Sequence, residues 1–363
     1  MSMSRKTGCF VSAILFMVLL SAKAIAQDLS GQWWLEKRSS RSETNNGGMK
    51  KIISVDNEIR FTLRYTRNDD SCCSYSQWNE TLPIGSNQLR GLTESVFGSS
   101  GTKVEFDVIR DAGTFHCEGW FADGKGSGHY TFNPNGGFVA ELVKRKIGAP
   151  TSEQLMRLAM NDTSIAFVDS LLTAGYKFDV AKLVRAANHG VSEEYVNGMS
   201  KLGYKPETMD QLIRMRDHGV DPEYVRELAT AGMKDMPTEQ IVKMRDHGVD
   251  ASFIHGLEKY GIKGLDGSEL ARLRDHGVDL EFIEGFRKFG FTLSPQELIR
   301  LRDHGVDTSF ASSVREAGFK DVTPTELVRL RDHGVDSEFI KTHGIGHSLE
   351  EIIRYHDRGG WSD

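Results

Sequence analysis

The chain has 363 residues, enough for two or three domains, and carries a formal charge of −6. That acidic balance argues against nucleic acid or anionic membranes as partners. Beyond the first residues, no segment is long and apolar enough to span a bilayer.

The N-terminus reads as a secretory signal over residues 1–26. Arg5 and Lys6 give a basic start, Phe10 to Leu20 is largely apolar, and Ala24-Ile25-Ala26 is a small-x-small cleavage site before Gln27. The apolar run covers 11 residues, short of the ~20 a spanning helix needs. A periplasmic or secreted protein is therefore expected, with an uncleaved N-terminal anchor as the alternative. Removing the signal takes the formal charge from −6 to −9.

Residues 27–148 read as an antiparallel β-domain. Phe61, Leu63 and Tyr65 alternate with polar neighbours, as do Val104, Phe106 and Val108, then Phe115 and Cys117, then Tyr130 and Phe132. Turn signals fall at Asp56-Asn57, Asp111-Ala112-Gly113, Asp123-Gly124 and Asn133 to Gly137, and Ser42 to Gly48 reads as a polar loop. Seven or eight short strands in a β-sandwich or small barrel are expected. Lys144 to Pro150 reads as the linker to the next domain. An exported chain favours disulfides, so a bridge from Cys117 to the Cys72-Cys73 pair is expected. Strand parity with Trp78 favours Cys72.

Residues 149–363 carry a repeat. His-Gly-Val begins at His189, His218, His247, His276, His304 and His333, at intervals of 29, 29, 29, 28 and 29 residues. Such a period marks one supersecondary unit stacked on itself. In the unit from Ser294, a Ser-Pro-x-Glu start opens a first helix carrying Leu298, Ile299 and Leu301. It ends at Gly305, followed by Val306, as a left-handed stop requires. Asp307 then caps a second helix with Phe310, Ala311, Val314 and Ala317, which ends at Gly318-Phe319. Helices this short are marginal alone. An α-solenoid of about seven 29-residue helical hairpins is the expected fold, with degenerate ends. Eight first-type and seven second-type helices are expected between Thr151 and Gly360.

The repeated residues read as structural. Gly219, Gly248, Gly277, Gly305 and Gly334 are left-handed helix ends. The histidines are read as capping the free carbonyls. One histidine per layer cannot close a zinc shell, since layers lie ~8–10 Å apart and a ligand ~2 Å from the metal. Asp217, Asp246, Asp275, Asp303 and Asp332 sit where a helix dipole disfavours them, so an inter-repeat ladder to arginines such as Arg300 and Arg302 is expected. No nucleophile, zinc, phosphate-loop or dinucleotide motif is found. No catalytic residue, cofactor or metal is expected.

The Arg-x-His-Gly-Val repeat, with its aromatic a few residues on and its closing Gly-aromatic, resembles a poorly characterised bacterial helical-hairpin repeat. That repeat occurs in exported proteins and in extracytoplasmic tails of zinc-peptidase-type antibiotic-sensing receptors. The stretch from Phe106 to Phe132, with Gly124-Lys125-Gly126-Ser127-Gly128, is similar to the β-domain that precedes such repeats. The resemblance implies an exported interaction module without peptidase activity. Binding of a protein or peptide along the repeats is the expected function. Two alternatives stand. Gly31-Gln32-Trp33 is read as a buried Trp on a first strand, but it also resembles the opening of lipocalin-like barrels, which would make the β-domain a ligand-binding or sensory module with the solenoid as spacer. A hydrolase of unrecognised type is the other.

Overall fold

The computed structural model describes residues 29–46, 49–68, 75–84 and 88–359. The expected signal peptide and the Cys72-Cys73 pair lie outside the described residues. The chain divides into two compact units, one ending at Asn197 and the other beginning at Gly198.

The first unit is built on a single antiparallel sheet. Its strands are β1 (Ser30–Asn46), β2 (Met49–Asn68), β3 (Tyr75–Pro83), β4 (Leu89–Arg90), β5 (Thr102–Arg110), β6 (Gly113–Ala122) and β7 (Lys125–Pro134). They lie in the order β3-β2-β1-β7-β6-β5-β4 and curl into a half-barrel. Of the expected sandwich or small barrel, the strands form neither two packed sheets nor a full barrel but this one half-barrel. Because β1 pairs with β7, the first and last strands meet at the centre of one continuous sheet, and β3 and β4 are left as its edges.

Alternation sets the inner face. Trp33 and Leu35 of β1, Phe61 and Leu63 of β2, Phe106 and Val108 of β5, Phe115, Cys117 and Phe121 of β6, and Tyr130 of β7 are all buried. Trp33 is at the centre, 5.0 Å from the Phe106 ring centroid and 6.3 Å from that of Phe61. Its indole Nε1 donates to the Glu118 carbonyl at 3.1 Å. The glycines of β6 and β7 make room for it: a Cβ at Gly119 would stand 2.7 Å from the Trp33 ring, and one at Gly126 2.2 Å from Phe121. Trp33 is thus a buried anchor of the core.

Three local expectations are corrected. β1 runs through Ser42 to Asn46, and β2 runs through Asp56 and Asn57. There the pair forms a two-stranded ribbon, since β7 joins β1 only as far as Glu36 and β3 joins β2 only from Arg60. The stretch Asn133 to Gly137, read as a turn, instead ends β7 and opens α1 (Gly136–Lys144), with the Asn135 side chain accepting from the Gly137 amide. Phe138 and Leu142, at i and i+4, are its buried residues.

Helices α2 (Ser152–Met160), α3 (Ile165–Thr173) and α4 (Val180–Asn188) complete the first unit, and α5 (Glu193–Lys201) carries the boundary. Helix α2 contacts β6 and β7, and the Tyr130 hydroxyl lies 4.0 Å from Met156 Sδ. The buried Arg110 guanidinium pairs with Asp162 at 2.5 Å, and Arg145 of the α1 end pairs with Asp169 at 2.6 Å.

The second unit holds α6 (Met209–Asp217), α7 (Pro222–Thr230), α8 (Thr238–Asp246), α9 (Ala251–Lys259), α10 (Gly267–Asp275), α11 (Leu280–Lys288), α12 (Pro295–Asp303), α13 (Thr308–Glu316), α14 (Pro324–Asp332), α15 (Ser337–His343) and α16 (Leu349–Asp357). Counted from Ser152, the described residues hold the eight first-type and seven second-type helices that the periodicity predicts. Capping boxes open α6, α10, α12, α14 and α16. Within this unit first-type helices contact the next first-type helix, and second-type helices the next second-type helix. The buried stripes of each helix, such as Leu298, Ile299 and Leu301 of α12, supply these contacts.

Candidate functional site

The repeated Arg-Asp-His-Gly motif ends every first-type helix from α6 to α14. Gly219, Gly248, Gly277, Gly305 and Gly334 all have positive φ, between 65° and 78°. In each case the next valine amide reaches back to the helix, as Val306 N does to Leu301 O at 2.8 Å and Gly305 N to Arg302 O at 3.0 Å. These are Schellman endings, as the glycines predict. Gly190 ends α4 in the same way, after His189.

The histidine side chains do something else. Each histidine is the C-cap residue by its backbone, but its imidazole does not turn back to the free carbonyls. Instead it reaches the aspartate that ends the next first-type helix. His218 Nδ1 bonds Asp246 at 2.8 Å, His276 Nδ1 bonds Asp303 at 2.6 Å, and His304 Nδ1 bonds Asp332 at 2.5 Å. His247 pairs with Asp275, and His333 with Asp357 at 3.0 Å. A carboxylate only accepts, so Nδ1 carries the hydrogen. In the first unit Asn161, in the histidine place, donates to Asn188 Oδ1 at 2.9 Å. His189 ends α4 and Asp217 ends α6.

This revises the expected Asp-Arg ladder: the partner of Asp246, Asp275, Asp303 and Asp332 is a histidine. The cause is geometric. The aspartate directly precedes its own histidine, so it faces the preceding layer's helix end, where that layer's imidazole stands. The arginine two places before His247, His276, His304 and His333 takes a different role. Arg245, Arg274, Arg302 and Arg331 lie over the rings of Tyr224, Phe253, Phe282 and Phe310, at 4.7, 4.3, 4.0 and 4.9 Å from the centroids. Arg245, Arg274 and Arg331 also donate through Nε to the carbonyls of Gly219, Gly248 and Gly305 at 2.9 to 3.1 Å. Arg302 instead meets Asp279, the N-cap of α11, at 3.1 Å. Arg300 is exposed on the same helix.

The four steps from α6 to α14 therefore each carry two rungs, one His-Asp and one Arg-aromatic. The sequence reading missed the second, although its signal is present: an aromatic stands six residues after each of His218, His247, His276 and His304. The N-cap aspartates belong to the same rung. Burial works to raise the Asp250 and Asp307 carboxyls, but hydrogen bonds from the serine and phenylalanine that follow, and the charges of Arg274 and Arg331, hold both below the usual range.

Two cavities adjoin this framework. In the second unit a mostly apolar cleft of about 640 Å³ is lined by Leu202, Tyr204, Val225, Leu228, Ala229 and Met233, with Arg226, Lys234 and Asp235 also lining it. Within the first unit a cavity of about 730 Å³ is lined by Thr81, Gln88, Asp111, Asp162 and Phe167 among others. Its aspartates are engaged, Asp162 with Arg110 and Gln88 and Asp111 with the Ile165 amide.

On the outer face of the sheet, His116 Nδ1 bonds Asp107 at 2.9 Å, with Glu105 and Glu118 within 3.7 Å of Nε2. The Asp107 bond raises the imidazole pKa, against a smaller desolvation effect. Burial would raise Asp107, but Arg90 and His116 together hold it below its usual value. Among the described residues no group of three or more His, Cys, Asp or Glu could hold a metal ion. Cys117 is a free thiol buried in the sheet core, and burial pushes its pKa far up. It gives the expected bridge to Cys72 no support; its side chain faces Phe106 and Tyr130 on the paired strands.

No protein-family model matches this chain, and no curated protein is significantly similar to it. No helix among the described residues is long and apolar enough to cross a membrane.

Proposed function

We propose that this is an exported, non-catalytic interaction protein whose helical hairpins stack as an α-solenoid and bind a protein or peptide partner along their surface. The observation that carries this reading is the repeated pair of rungs between successive hairpins of the second unit. The same His-Asp bond recurs from His218 to Asp357, and the same Arg-aromatic contact from Tyr224 to Arg331. Such rungs serve to couple layers into a regular array, and arrays of this kind present extended binding surfaces. The apolar cleft at Leu202, Tyr204 and Met233 opens on that array. The inner face of the half-barrel, by contrast, is filled by Trp33, Phe61, Phe106, Phe115 and Tyr130, which favours a structural part for the sheet. Export rests on the signal-like start of the sequence.

A photo-cross-linking residue at Lys234, beside the cleft, and another at exposed Trp120 on the sheet separate the alternatives in cells producing the protein. A discrete cross-linked partner from the Lys234 position, and none from Trp120, is expected. Cross-links from the sheet alone would favour the ligand-binding or sensory reading.

A further inference from the structure

The cleft in the second unit is one position of a repeating series; at two others, in α11 and α13, an arginine of the chain itself fills the space, while α9 carries Glu258 there. The last-but-one residue of a second-type helix is Arg287 in α11 and Arg315 in α13. Both reach back to the end of the preceding second-type helix. Arg287 Nη1 donates to the Tyr260 carbonyl at 2.6 Å, with its guanidinium 5.7 Å from the Tyr260 ring. Arg315 donates to the Phe289 carbonyl and stacks over the Phe291 ring at 4.6 Å. Tyr260 and Phe289 are the C-cap residues of their helices, so each guanidinium satisfies a carbonyl that the helix leaves free. In α7 the same position is Ala229. Its side chain has no donor to offer Leu202, the residue that follows α5 and precedes Gly203.

The space confirms the correspondence. Around Arg287 the cavity bounded by Tyr260, Ile262, Ile283 and Phe286 has a volume of about 10 Å³. The equivalent cavity bounded by Leu202, Tyr204, Val225 and Leu228, with Ala229 in the arginine place, has about 640 Å³. The Tyr204 ring occupies the place that the Phe291 ring holds under Arg315, each following the helix-ending glycine. Tyr204 is fixed there by its hydroxyl, 3.2 Å from both the Met236 carbonyl and Thr238 Oγ1. The rim is close to charge-balanced: Arg226 is bound to Glu223, and Lys234 stands next to Asp235.

We propose that this cleft receives an arginine side chain of the partner, seated as Arg287 and Arg315 seat within the chain. The guanidinium lies over the Tyr204 ring and donates to the Leu202 carbonyl, and its methylene stem covers Leu228 and Met233. Arginine fits better than lysine, because a planar fork can stack and donate at once while an ammonium cannot. The inference rests on the partner-binding reading above and names the chemistry that the partner must present.

The test uses the full chain with labelled methyl groups and three blocked tripeptides, acetyl-Gly-Xaa-Gly-amide with Xaa as arginine, lysine or citrulline. The arginine peptide should shift the Leu202, Ala229 and Met233 methyl signals saturably, and the lysine and citrulline peptides should bind about tenfold or more weakly. Ala229→Arg should abolish the response, because the chain then fills its own cleft. Ala229→Met, which only occupies the volume, should abolish it too and serves if the arginine variant folds poorly. Equal responses to citrulline, or an unchanged response in both variants, would overturn the proposal. The two readings fail differently: a partner cross-linked from Lys234 equally well in wild type and Ala229→Arg ends the arginine proposal and leaves partner binding standing. Absence of any cross-linked partner in the wild type ends both.

Discussion

His276 Nδ1 donates to Asp303 Oδ1 at 2.6 Å, joining two helix ends that are 27 residues apart in sequence. Alone, Asp303 would be misplaced, since a carboxylate in the last turn of a helix opposes the dipole. The imidazole of the preceding layer offsets that cost and makes the aspartate specific for its neighbour. Both side chains are about one-third to one-half exposed, so the pair sets register more than it supplies stability.

A double-mutant cycle with His276→Asn and Asp303→Ala should therefore give a coupling of about 0.5 kcal/mol, within the ~0–1 kcal/mol of exposed pairs. Denaturant unfolding of the four proteins measures it. The same cycle between Asp303 and Arg300 should give no coupling; a larger value there would restore the arginine partner.

Arg302 is expected to matter more than the histidine. It lies 4.0 Å from the Phe282 ring centroid and 3.1 Å from Asp279, bridging two hairpins. Arg302→Ala should cost about 1–2 kcal/mol through lost stacking and stem packing. Arg302→Lys should recover only part of this, because a point charge does not stack. Unfolding midpoints equal to wild type for both variants would remove the Arg-aromatic rung from the energetics.

The sheet carries a pH dependence of its own. The Asp107 bond, opposed by desolvation, raises the His116 pKa above its ordinary value of 6.5. A raised folded value means that protonated His116 stabilises the fold below about pH 6.5, and that this contribution is lost as pH rises through the folded pKa. An NMR titration should place His116 above 6.5, and Asp107→Asn should bring it down. A His116 titration below the ordinary value would contradict the assignment.

The helical hairpins were legible because each carries its own local signals. Ser294 and Glu297 start α12, Gly305 stops it, and the apolar stripe lies between. The partner of Asp303 was not legible, since no local pattern distinguishes an arginine from a histidine 27 residues away. The sheet's strand order was equally hidden: alternation shows that Phe61 and Tyr130 share the inner face, but not that β1 and β7 lie side by side. Helix α1 was missed because Gly136-Gly137 reads as a turn, whereas Asn135 with Phe138 and Leu142 carried the helical signal. That Ala229 stands in an arginine place was visible only by comparing that position with Arg287 and Arg315 in the structure.

The coupling of hairpins into one array is tested most directly by site-resolved hydrogen exchange on Gly277→Ala. Gly277 has φ of +68°, and an added Cβ would meet nothing within 4 Å, so the substitution perturbs only the backbone. It should cost about 1 kcal/mol at the end of α10. If the rungs couple the layers, protection should fall in α8, α9, α11 and α12 as well, and the effect should fade toward α15. Loss of protection confined to α10 and its turn would contradict the array.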